Sequence, residues 1–184
     1  MTRFIPVDPA HATGRARTLL DGVQRKLGVV PNMTRHMARA PAVLDAYLAF
    51  AGALAAGALA APLREQIALV TAEDNACEYC LSAHAFLGRG AGLDPAAIAA
   101  ARDGDAAEPH ARAALRFARA VLATRGHVAE ADLAAVRAAG FDDGEIGEVI
   151  ANVALNVFTN YFNGVTRPVV DFPVIAPRGL ARAA

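Results

Sequence analysis

Tryptophan is absent, aromatic residues make up only 6% of the chain, and cysteine occurs just twice. Long β-branched runs are missing as well. Sheets draw on aromatic and β-branched residues, so their scarcity disfavours a β or α/β architecture and favours closely packed, alanine-rich helices. An excess of charge of one sign is also lacking, because 18 Lys and Arg balance 18 Asp and Glu. A net charge of +0 gives nucleic acid or an anionic membrane surface no overall attraction. Two cysteines three positions apart cannot frame a disulfide-stapled secreted fold; that spacing points to redox chemistry or metal binding. The N-terminal run MTRFIPVDPAHATGRART has no apolar leader core, and the chain reads as cytoplasmic.

What is abundant is apolar, small and helix-forming. Hydrophobic residues reach 55% against a usual figure of about 45–50%, and much of the excess is alanine. Such a composition suggests an apolar face covered by another subunit. One stretch, Ala46 to Leu63, runs eighteen residues without a charge, close to the minimum bilayer span. It is interrupted by Gly52, Gly57 and Pro62 and has no flanking basic cluster, so it is expected to be a buried or subunit-facing helix and not a membrane span.

Helical periodicity, caps and stops recur along the whole 184 residues, which are expected to form a single domain. Helices are anticipated over Ala12–Leu27, Met33–Ala38 and Ala42 toward Gly57, with another opening at Pro62 and broken at Asn75 and Ala76. A further helix should start near Cys77 and end near Gly88 or Gly90. Asp94 and Pro95 restart the chain, and helices follow over Glu108–Arg125, Glu130–Ala139 and from Asp142 or Asp143 to Asn163 before Gly164. A proline-containing tail from about Val165 to Ala184 is expected to be extended over the body or a neighbouring subunit. The expected class is all-α, with about seven or eight helices.

The chemistry concentrates between Glu65 and His84. Cys77 and Cys80 form a C-x-x-C, and His84 lies four positions further on. On a helix beginning at Cys77 these three fall within about 60° of one another, presenting two thiols and an imidazole on one face. The first turn of a helix and a neighbouring basic group both favour the thiolate, lowering a thiol pKa from about 8.5 to roughly 3.5–7.5. Glu65, twelve positions before Cys77, can approach from the preceding helix and pass a proton through His84.

Three readings fit this cluster: a redox dithiol, a zinc site with Glu65, Glu73 or a distant histidine as fourth ligand, and simple packing of two small apolar residues. Further along, Asn152, Asn156, Asn160 and Asn163 recur at spacings of four, four and three, lining one helical face with amides. They either bond between helices or, with Asn156 and Asn160 as site-lining residues, border the site.

The run LREQIALVTAEDNACEYCLSAH, Leu63 to His84, resembles the signature of the AhpD-like alkylhydroperoxidases within the carboxymuconolactone decarboxylase superfamily. VALNVFTNYFNGV, Val153 to Val165, followed by Asp171-Phe172-Pro173, is similar to the branch called peroxidase-related proteins. The resemblance implies an AhpD-like helical bundle assembled as a homo-oligomer (a trimer or hexamer) without haem, flavin or metal. It implies thiol-dependent reduction of organic hydroperoxides, with Cys80 peroxidatic, Cys77 resolving, and His84 and Glu65 as proton relay. A lipoyl-type or thioredoxin-like dithiol would regenerate the enzyme.

The alternatives are a dithiol-disulfide oxidoreductase acting through the same residues and a non-catalytic zinc-binding or interaction module. Members of the superfamily that decarboxylate carboxymuconolactone lack the cysteine pair, which argues against that activity here. Two positions depart from the pattern. Tyr79 stands where the best-known members carry a histidine, removing a neutral-pH base, and Gly164 stands where relatives often have another. Tyr79 either packs or holds a water near Cys80.

Overall fold

The computed structural model describes residues 2–178, so the end of the anticipated tail, 179–184, lies outside the described residues. Among the described residues there is no strand, and nine α-helices follow a short 3-10 turn at Pro9–His11. They are α1 (Gly14–Leu27), α2 (Asn32–Met37), α3 (Pro41–Ala55), α4 (Ala61–Asp74), α5 (Glu78–Gly90), α6 (Pro95–Arg102), α7 (Pro109–Thr124), α8 (Glu130–Ala138) and α9 (Asp143–Thr166). The all-α class read from composition is the one observed.

Helix α4 is the hub. Gln66 through Ala72 are buried in an unbroken row, which is possible only for a helix enclosed on every side. It packs against α5, α6, α7 and α9, and the main core gathers around it. A smaller cluster of Leu20, Met37, Ala38 and Leu44 joins α1, α2 and α3. The uncharged Ala46–Leu63 stretch is not one helix: α3 ends at Ala55 and α4 starts at Ala61. Glu148 of α9 accepts the Ala58 and Leu59 backbone N–H groups in the intervening turn, at 2.8 and 3.1 Å. No helix among the described residues is long and apolar enough to cross a membrane.

Most starts and stops sit where local chemistry puts them. Asp94 caps α6 by accepting from Ala97 N–H at 2.7 Å, and Asp142, not Asp143, caps α9 in a reciprocal box with Glu145. Two boundaries differ from expectation. Helix α9 passes through Gly164 and ends at Thr166, where Arg167 turns into the left-handed region at φ 51°, its N–H donating to Asn163 C=O at 2.8 Å, and Pro168 follows with no N–H to continue the helix. The break after α4 places Ala76, not Asn75, in the left-handed region, at φ 50°. Cys77 N–H donates to Ala72 C=O at 2.9 Å and Ala76 N–H to Glu73 C=O at 3.0 Å, the paired bonds of a Schellman turn.

Beyond α9 the chain runs extended across its own body. Asp171 accepts from Asn32 N–H at 2.7 Å, Ile175 N–H donates to Ser82 Oγ at 2.9 Å, and Arg102 donates to Ala176 C=O at 2.8 Å. Arg102 also pairs with the nearly buried Glu73 at 2.7 Å, and Glu73 accepts from Arg178 N–H.

Two stability measurements follow from these features. A left-handed alanine costs roughly 1–2 kcal/mol that glycine avoids, offset by about 0.5–1 kcal/mol for glycine's greater freedom when unfolded. Ala76→Gly is therefore expected to stabilise by about 0.5–1 kcal/mol in denaturant titration, and an unchanged or lower midpoint contradicts that. His36 is buried, its Nδ1 lacks a partner, and burial, followed by the charge of Arg35, holds its pKa below the ordinary 6.5. The folded chain therefore refuses a proton that the unfolded chain takes up, so stability present above pH 6.5 falls as pH drops below it. Between pH 7.5 and 5.5 (roughly a unit either side of that pKa), His36→Gln should lose less stability than wild type; equal losses would exclude His36 as the cause.

Candidate functional site

The turn after α4 folds α5 back along it, and this hairpin brings the chemistry together. Glu65 sits in the first half of α4 and His84 midway along α5. The Nδ1–H of His84 donates to Glu65 Oε2 at 2.8 Å, and both side chains are half-buried, 22% and 21% exposed. A carboxylate can only accept, so this bond places the proton on Nδ1 and leaves Nε2 as the basic nitrogen.

Cys77 and Cys80 are joined in a disulfide, with Cα atoms 5.3 Å apart. Their surroundings differ. Cys80 lies within the first turn of α5 and is 2% exposed; Cys77 is the extended N-cap residue, 6% exposed, and its Sγ accepts from Cys80 N–H at 3.3 Å. The two sulfurs expected to share a face are brought together, but Cys77 takes the cap position and not a place on the helix. Because Cys77 precedes the first helical residue, its side chain does not follow the helical rotation.

Cys80, His84 and Glu65 line a cleft of about 510 Å³, together with Tyr47, Asn156 and Phe172. Cys77 does not border it. The cleft has an apolar floor and a few polar groups, the usual make-up of a small-molecule site. Burial and the neighbouring Glu65 charge push the Tyr47 phenol up to about 12, so it remains protonated.

Tyr79 is buried and structural. Its hydroxyl accepts from Met33 N–H at 3.1 Å, and its ring meets Phe172 edge-on at 5.7 Å. Burial raises its pKa far beyond the ordinary phenol, and a hydrogen bond to Asp171 raises it further. It cannot replace a histidine as base.

The amide row on α9 divides its duties. Asn152 and Asn156 donate back to carbonyls of their own helix, each at 2.8 Å, while Asn160 accepts from Asn75 at 3.1 Å beside the Schellman turn. Asn156 borders the cleft and Asn160 does not. The member that reaches the sulfur is Asn163, whose Nδ2 lies 3.3 Å from Cys80 Sγ and 3.3 Å from Met33 Sδ. Its four-four-three register was legible in sequence, but its contact was not, since that depends on how α9 crosses α5. Tyr47 and Met33 also came without a sequence signal for the site, and Phe172 was marked only as part of the Asp171-Phe172-Pro173 run.

The donor set of a zinc site is not assembled. Among the described residues no three His, Cys, Asp or Glu side chains converge on one point, and Glu73 is committed to Arg102.

The pattern of the carboxymuconolactone decarboxylase family matches residues 41–124. A crystal structure of an AhpD-core, peroxidase-related protein from Ralstonia eutropha JMP134 shares 30% identity with a TM-score of 0.81, covering 91% of this chain and 92% of that one. A peroxidase-related protein from Silicibacter sp. TM1040 shares 26% identity with a TM-score of 0.77, over 92% and 94% of the two chains. The debrominase Bmp8, at 20% identity and a TM-score of 0.78 over 93% of each chain in its apo form, shares the fold. No curated protein matches the chain.

An amide N–H aimed at sulfur favours the thiolate over the thiol. In reduced protein, Asn163→Leu is expected to raise the Cys80 thiol pKa by about one unit, read from the pH dependence of iodoacetamide alkylation. An unchanged profile would show that the amide serves packing alone.

Proposed function

From the chain's membership of the carboxymuconolactone decarboxylase superfamily, in its AhpD-like group, we propose that it is a thiol-dependent peroxidase that reduces organic hydroperoxides through a Cys77–Cys80 dithiol/disulfide cycle. The observation that carries this reading is the disulfide beside a hydrogen-bonded His84–Glu65 pair, with Cys80 and that pair facing one cleft.

The cycle starts from the dithiol. His84 Nε2 takes the Cys80 proton, and Glu65 holds the resulting imidazolium through Nδ1–H. The Cys80 thiolate attacks the terminal oxygen of ROOH; the O–O bond breaks, the departing alkoxide takes the proton from His84 and leaves as ROH, and Cys80 becomes a sulfenic acid. The Cys77 thiolate then attacks the Cys80 sulfur, hydroxide leaves as water after protonation, and the disulfide forms. Two electrons have passed from the thiols to the peroxide. An external dithiol returns them.

Asn163 supports the Cys80 thiolate, and Tyr79 holds α2 and the tail against the site. The apolar floor of the cleft suits the organic part of a hydroperoxide. Exposed Phe86, Phe158 and Tyr161 leave apolar surface that a homo-oligomer would cover, as the family resemblance implies.

The decisive measurement is a thiol count after mixing reduced protein with cumene hydroperoxide. Wild type should lose both thiols. Cys80→Ser should lose none at a comparable rate, and Cys77→Ser should undergo a single oxidation to a sulfenic acid that dimedone traps. Wild-type thiols surviving as long as those of Cys80→Ser would refute the peroxidase reading.

A further inference from the structure

The two cysteines of the disulfide line different spaces. Cys80 faces the cleft with His84 and Glu65, whereas Cys77 lines a separate cavity of about 580 Å³ shared with Ala76, Glu78, Gly164 and Arg167. Tyr79 and Asn163 border both and form the wall between them. We propose that this second cavity is the entry site for the thiol reductant, which attacks the Cys77 sulfur and expels Cys80 as thiolate into the opposite cleft. The inference rests on the dithiol/disulfide cycle given above and assigns its reductive half to a distinct site.

Displacement at sulfur requires the nucleophile to reach the attacked atom from outside the disulfide, so the cavity a sulfur borders decides which sulfur a thiol can meet. Cys77 is the sulfur-bearing residue on this side. Asn163 contributes to the leaving group. Its Nδ2, 3.3 Å from Cys80 Sγ, supports negative charge on the departing sulfur, while its Oδ1 is buried without a partner. Glu78 and Arg167 give the walls one charge of each sign, and neither forms an ion pair among the described residues. This balance suits a small thiol without large net charge.

The step balances as follows. R–S⁻ forms a bond to Cys77 sulfur, the Cys77–Cys80 bond breaks, and Cys80 leaves as thiolate, giving a Cys77–S–S–R mixed disulfide. A second thiolate attacks the R sulfur and releases Cys77, so two thiols become one external disulfide and the protein gains two electrons. The first sulfur released is the one that faces His84.

The test uses full-length protein oxidised with diamide, so it does not depend on hydroperoxide being the substrate. After brief exposure to 2-mercaptoethanol, acid quenching and blocking with N-ethylmaleimide, tandem mass spectrometry locates the adduct. The mercaptoethanol group is expected on Cys77 at least tenfold over Cys80; an even split or an excess on Cys80 overturns the proposal. A second arm fills the cavity. Gly164 is helical, and a Cβ added there meets nothing within 4 Å, so a side chain can start there and Gly164→Leu adds bulk on the cavity wall. It should slow disulfide reduction by 2-mercaptoethanol at least fivefold, and a wild-type rate would also overturn the proposal. If cumene hydroperoxide leaves the thiols intact, the peroxidase reading falls while the adduct position still decides this one.

Discussion

The hydrogen bond from Cys77 N–H to Ala72 C=O, at 2.9 Å, is the constraint on which the site depends. It closes the turn that ends α4, forces Ala76 into the left-handed region and turns α5 back along α4. Three consequences follow from that reversal. Glu65 and His84, nineteen residues apart, come within 2.8 Å; Cys77 is left as an extended cap; and Cys80 enters the first turn of a helix whose unpaired N–H groups favour a thiolate. The strain of a left-handed alanine is small against the packing it orients, because α4 is buried along seven consecutive residues.

The polar groups near the sulfurs are costly to bury, and the structure compensates most of them locally. Asn152 and Asn156 donate to their own helix, and Asn160 meets Asn75. The atoms left over are informative because buried polar groups normally find partners. Asn163 Oδ1 is one of them, on the wall between the two cavities. Its amide nitrogen is occupied by sulfur, and its oxygen is enclosed without a partner. The tail completes the enclosure, with Phe172 against Tyr79 and Asp171 bonded to α2.

A cleft on one side of the disulfide and a cavity on the other would, in the proposed cycle, separate two kinds of chemistry. In the proposed cycle, oxidation needs a basic nitrogen and an apolar pocket, which His84 and the cleft would supply. Reduction needs only access to sulfur and a stable leaving thiolate. Tyr79 fits this division: buried, protonated and hydrogen-bonded, it contributes a rigid wall and no base.

The all-helical class, most helix positions and several caps were legible in sequence, because they follow from short-range physics. Asp94 before Pro95 and Asp142 three residues before Glu145 cap their helices through bonds spanning only a few residues. The Glu65, Cys77, Cys80 and His84 constellation was legible from spacing and from its resemblance to a family. Long-range packing decided the rest. Helical rotation alone grouped Cys77 with Cys80 and His84, yet the turn after α4 left Cys77 as an extended cap whose bond to Cys80 comes from the turn and not from helical rotation. Asn75 was the better left-handed residue by propensity, but the register of α5 against α4 assigned that conformation to Ala76. Gly164 lacked the authority to end α9, and Pro168 supplied it. Asn163 reaches Cys80 through the crossing of α9 over α5, a relation between residues 83 positions apart that no local pattern encodes.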